Sequence, residues 1–147
     1  MALYINKGNE AFARALMSEY VDKTGLIAEI NSTLFTEKSF TCVSRCRRFG
    51  KSMAAKMLCA YYDNTCDSRE LFRGLEIEQH PDFEKHLNKY PVIYVDMTTF
   101  MTKYHKDNKI VDYLKADLLL DLHAQYPDIV LNERDDVMDL LIKASEL

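Results

Sequence analysis

The chain has 147 residues, 48% of them hydrophobic and 29% charged, with 4 glycines, 3 prolines and a formal net charge of -4. That balance fits a globular domain with a core of its own, and it excludes long disordered linkers and a generally cationic nucleic-acid coat. No apolar run reaches the ~18 residues that span a bilayer, and "MALYINKGNEAF" lacks the basic-then-apolar order of a secretory leader, so a cytoplasmic protein is expected.

In chain order, Phe12, Leu16 and Tyr20 recur at four-residue spacing and predict a short helix with one apolar face within 9–20. "DKTGLIAEINSTL" predicts a second helix, with Asp22 as its cap and Leu26, Ile27 and Ile30 turned inward. "SFTCVS", residues 39–44, is short, β-branched and bounded by charge, the pattern of a buried strand. The basic stretch "SRCRRFGKSM" starts at its end and holds Arg45, Arg47, Arg48, Gly50 and Lys51. "KSMAAKMLCAYYD" then repeats Ala54, Met57, Leu58 and Tyr61 at helical spacing, with Tyr61 and Tyr62 expected as core and rim aromatics.

Further on, "SRELFRGLEI" predicts a short helix closed by Gly74, and "HPDFEKHLNKY" another, with Pro81 early and Asp82 in its first turn. "PVIYVDMTTF" follows as a second apolar, β-branched run ending in Asp96, a second expected strand. Ile110, Leu114, Leu118 and Leu122 form a helical stripe that stops at Tyr126 and Pro127, and a last helix is expected from about residue 132, with Val137, Leu140, Leu141 and Ala144 on one face. Strands joined through helices predict an α/β fold with a parallel sheet. Two strands fall short of the roughly five usual in a sheet, so the chain reads as the front part of a longer domain.

The strand, basic loop and helix around Gly50 are the setting of a phosphate-binding loop, in which backbone N–H groups and a helix N-terminus converge on an anion. Lys51 would reach the terminal phosphates and Ser52 would place its hydroxyl on Mg2+. The usual spacing puts a glycine five residues before Gly50, where this chain has Arg45. From the pattern alone, nucleotide binding and a solvated basic turn stand about level. The position favours the former, because crowded positive charge at a strand end is relieved by an anion. Cys42, Cys46, Cys59 and Cys66, spaced C-x3-C-x12-C-x6-C, match no zinc pattern and read as reduced thiols. His80, His86, His105 and His123 are scattered and suit surface or helix-end roles.

"EYVDKTGLI" (19–27), "CVSRCRRFGKSMAAKMLCAYYD" (42–63), "LFRGLEI" (71–77) and "YPVIYVDMTTF" (90–100) together resemble the bacterial AAA-ATPase-like family over about residues 4–100. Its members carry R-P-R-R-F-G-K-S/T after a tyrosine-valine-aspartate-lysine-threonine motif, and they too lack the early glycine. The resemblance implies a P-loop NTPase-like three-layer sandwich binding ATP and Mg2+, here an incomplete N-terminal part of the domain. Nucleotide is the implied partner, with nucleic acid reached through a PD-(D/E)XK nuclease-like region beyond this segment, and no membrane. By position, Cys46, Arg47, Arg48, Phe49, Gly50, Lys51 and Ser52 match the loop, with Ser52 as the metal contact, and Asp22 and Lys23 fall in the upstream motif. Cys46 departs from the family's proline, which loosens the loop entrance and bears on affinity. The implied layout is one partial domain over 1–147: a helical flank (1–38), the strand, loop, helix and second strand (39–100), and a helical segment (101–147). Efficient hydrolysis needs an acidic strand with no counterpart here, and Asp96 reads rather as a strand-end cap or a contact to loop hydroxyls. The alternative is a non-enzymatic interaction module whose basic loop contacts nucleic-acid phosphates.

Overall fold

A computed structural model of the chain describes residues 4–44, 46, 48–104, 109–132 and 134–146, with Thr99 and Lys103 described by their backbone alone. The chain divides into two compact units, Gly8–Val92 and the pair of segments Met1–Lys7 and Ile93–Leu147.

In the first unit, α1 (Glu10–Leu16), α2 (Gly25–Thr33), α3 (Lys51–Tyr62) and the single turn α4 (Phe83–His86) pack with 3-10 turns at Arg69–Phe72 and Glu76–Gln79. The predicted faces are the ones that close the core: Phe12 from α1, Ile27 from α2, and Met57 and Tyr61 from α3 are all 1% exposed or less. Phe12 stacks on Phe72, and Tyr61 meets Phe72 edge-on, so the 3-10 turn is held by aromatic contact. The Tyr61 hydroxyl donates to the Phe83 carbonyl (2.7 Å) and accepts from the Asn31 amide (3.1 Å), which satisfies its polar end inside the core. Burial pushes its pKa up to about 12. Tyr62 is half-buried, as expected for the rim.

The end of α3 is fixed by polar side chains. Asn88, in the left-handed region at φ 54°, donates from its amide to the carbonyls of Ala60 (3.1 Å) and Asp63 (2.7 Å), capping carbonyls the helix leaves open. The fully buried Asp63 carboxylate accepts from Gly8 N (2.6 Å), Thr65 N (2.9 Å) and the Thr65 hydroxyl (2.6 Å). This buried acid is therefore balanced by donors, not by a cation.

The second unit holds α5 (Met97–Tyr104), α6 (Ile110–Gln125) and α7 (Val137–Ser145). Leu118 and Leu122 of the predicted stripe are buried against Ile5, Phe100 and Leu140. The Asp121 carboxylate on α6 accepts from Tyr4 N (2.7 Å) and Ile5 N (2.8 Å), docking the N-terminal residues on the helix. Asp136 and Asp139 form a capping box that starts α7 a few residues later than predicted.

The expected parallel sheet is overturned. Among the described residues there is no strand, and β-pairing is confined to isolated bridges, Ile5 with Ile93 (antiparallel) and Asp63 with Tyr90 (parallel). The protein is therefore helical, not a three-layer α/β sandwich. Residues 39–44 have no regular secondary structure and lie exposed, with Phe40 96% accessible. β-branched composition favours a strand only where a neighbour supplies the ladder, and none is assembled here. In the second predicted strand, Ile93 makes a single bridge and the chain then turns into α5. Asp96 Oδ1 accepts from Thr98 N (2.9 Å), so a local side-chain bond starts a helix where the residue types suggested β structure.

Candidate functional site

The basic loop leads into α3 through Gly50, whose φ of 80° places it in the left-handed region at the helix N-cap. Glycine reaches that conformation without a Cβ penalty, which accounts for one of the chain's few glycines standing here. Ala54 N bonds to the Gly50 carbonyl (2.9 Å), which opens the helical ladder. The first turn holds no acidic residue and Gly50 brings no capping side chain, so neither offsets the partial positive charge of the helix start.

Two lysines close on the loop from different directions in sequence. Lys51 Nζ donates to the Cys46 carbonyl (3.1 Å), and Lys23 Nζ donates to the Phe49 carbonyl (2.8 Å). Both line one cavity of about 800 Å³, with Leu26, Val43, Phe49 and Ala54 as its apolar wall. Phe49 is 62% exposed, and Ser52 lies exposed in the first turn of α3. Arg48 is exposed, with a φ of 68° that a residue carrying a Cβ rarely adopts. Arg45 and Arg47 lie outside the described residues.

Asp22 and Lys23, adjacent in sequence, do different things. Asp22 Oδ1 accepts from Thr24 N (2.8 Å) and the Thr24 hydroxyl (2.7 Å), and Oδ2 accepts from Glu76 N (2.8 Å). Thr24 is fully buried, and its hydroxyl oxygen accepts from Ile77 N (3.1 Å). Partial burial pushes the Asp22 carboxyl up, but the hydrogen bonds from Thr24 and Glu76 outweigh it and hold the pKa below the usual carboxylate value. Asp22 thus anchors the start of α2, and only Lys23 faces the cavity.

Of the site residues the family resemblance implied, Cys46, Phe49, Gly50, Lys51 and Lys23 line one cavity, while Asp22, Arg48 and Ser52 are not among its lining residues. The apolar wall went unrecognised: Leu26 carried the signal of a core position and Val43 that of a strand. Among the described residues no group of three or more His, Cys, Asp or Glu side chains could hold a metal ion. Cys42, Cys46, Cys59 and Cys66 are free thiols, and His86 is buried at the end of α4, its Nδ1 2.6 Å from the Tyr90 hydroxyl. His105 lies outside the described residues. Among the described residues no helix is long and apolar enough to cross a membrane.

The loop runs into a helix N-terminus and places two lysines on one cavity, donors of the kind that suit an anion. The family model described as predicted AAA-ATPase matches residues 11–144, and the chain belongs to that family. No curated protein and no solved structure matches it.

Proposed function

We propose that the chain binds ATP with Mg2+ through the loop Cys46–Ser52 and the start of α3. The observation that carries this reading is the meeting of Lys51 and the Gly50-led start of α3 at one partly apolar cavity. Phosphate oxygens there would meet the Lys51 ammonium and the N–H end of the helix. The apolar wall of Leu26, Val43 and Ala54 offers room beside them for a nucleoside.

Ser52 suits a magnesium contact: it offers a hard hydroxyl oxygen at an exposed position in the first turn. When bound, the ion neutralises phosphate charge, and the phosphates and water supply the rest of its oxygen shell. The contribution this reading assigns to the chain is the Ser52 hydroxyl, and the reading is one of binding. Titrating the purified chain with a fluorescent ATP analogue tests it. Lys51→Ala should weaken binding about tenfold or more, the worth of one charge-assisted hydrogen bond. An unchanged affinity would sink the reading.

Contact with nucleic-acid phosphates is the second reading, favoured by exposed Phe49 beside exposed Arg48, a pairing that suits base stacking. It requires affinity for single-stranded DNA that collapses with salt and is indifferent to ATP-Mg. DNA displaced by millimolar ATP-Mg would argue for the nucleotide instead.

A further inference from the structure

Lys23 stands 26 residues before Phe49, yet its ammonium rests on that residue's carbonyl, 2.8 Å away. It also lies against Gly50: a Cβ built there would be 2.7 Å from Nζ. The ammonium is therefore pressed onto the backbone immediately ahead of the first turn of α3, in the cavity that Lys51 also lines. Its neighbours are anchored. Asp22 and Thr24, on either side, are tied to Glu76 N and Ile77 N, while the lysine stem projects from between them.

We propose that Lys23 is a second polyphosphate-binding cation of this site, held on the Phe49 carbonyl until a phosphate oxygen replaces it. The inference rests on the nucleotide reading above and adds a residue contact to it. A neutral carbonyl is a weaker partner for an ammonium than an anionic oxygen, so the exchange runs toward the ligand. Asp22, the nearest acid in sequence, does not compete, because its oxygens are turned to Thr24 and Glu76. The absence of a side chain at Gly50 leaves the ammonium its place beside the loop. Asp22 is on this view a positioning residue, and Lys23 the group that touches the ligand.

The test is calorimetric titration of ATP-Mg and of inorganic tripolyphosphate into the wild-type chain, Lys23→Ala, Lys23→Met and Lys51→Ala, at two salt concentrations. Lys23→Met keeps the apolar stem, so it carries the test should the alanine variant fold poorly. Loss of about tenfold or more is expected for either Lys23 variant, equal for ATP and tripolyphosphate because the base is not involved, with a shallower fall in affinity as salt rises. A merely structural role would leave the salt dependence unchanged. Affinity within twofold of wild type in Lys23→Met, alongside a clear loss in Lys51→Ala, would overturn the proposal and leave the nucleotide reading standing. Loss for ATP alone would assign Lys23 to the nucleoside and overturn it too. Failure of the wild-type chain to bind either ligand would remove both.

Discussion

Replacing Gly50 by alanine isolates the backbone that aims the loop. At φ 80° a residue with a Cβ pays about 1–2 kcal/mol for the left-handed region. The new Cβ would also stand 2.7 Å from Lys23 Nζ, but that atom ends a flexible chain and can swing into water, so crowding adds little. The expected destabilisation is therefore about 1–2 kcal/mol, which at a urea m-value of about 1–3 kcal/mol/M moves the midpoint down by roughly 0.3–2 M. Because the chain contains no tryptophan, far-UV circular dichroism is the suitable probe. An unchanged midpoint at an unchanged slope would refute a left-handed Gly50. Combining Gly50→Ala with Lys23→Ala separates the two contributions: backbone strain persists in the pair, whereas a cost that vanishes would have come from crowding.

Two further outcomes concern the first unit. Tyr61→Phe removes the buried hydroxyl that serves Phe83 O and Asn31, so about 1–3 kcal/mol of stability should be lost in urea unfolding. Burial, with Lys85 nearby, holds His86 below its ordinary pKa of 6.5, against an opposing pull from Asp82. The neutral ring is then the form the fold favours, so its contribution is complete above pH 6.5 and declines as pH falls toward the lower folded-state value. Melting temperatures measured between about pH 7.5 and 5 should fall less steeply in His86→Gln than in wild type, and parallel curves would dismiss that role.

The helices were legible where periodicity ran long. α3 and α6, of 12 and 16 residues, repeat their apolar positions often enough that Met57, Tyr61, Leu118 and Leu122 could be placed on core faces from the sequence. The strands were not, because residue type reports the fit of a side chain to a pleated surface and says nothing of whether a partner ladder exists. "SFTCVS" has the right composition and remains exposed; "VIYVDMT" has it too, and turns into α5 where Asp96 accepts from Thr98 N. Pairings across long sequence separations were equally invisible. Nothing in the pattern joins Asp22 to Glu76, 54 residues on, though that bond fixes the segment from which Lys23 projects. At the site, Gly50 and Lys51 were placed by local spacing, whereas the contact of Lys23 with Phe49 needed the fold.

The lysine contacts also set how binding measurements on this loop should be interpreted. Without a strand ladder, the Phe49 carbonyl takes its hydrogen bond from Lys23, and the Cys46 carbonyl accepts from both Lys51 and Phe49 N (3.4 Å). A phosphate that recruits Lys23 returns the Phe49 carbonyl to water, and one that recruits Lys51 leaves the Cys46 carbonyl with Phe49 N, so each binding event trades one lysine hydrogen bond for a stronger one. Removing a lysine deletes the bond in the bound state and the one in the free state together. The measured loss is the difference between them, smaller than the strength of the phosphate contact itself. A tenfold effect at Lys23 or Lys51 therefore marks a contact stronger than tenfold implies. The same exchange takes the lysine bonds off the loop backbone at Cys46 and Phe49 when ligand arrives, so amide hydrogen exchange across 46–50 should change on ATP-Mg binding in wild type and change less in Lys23→Met.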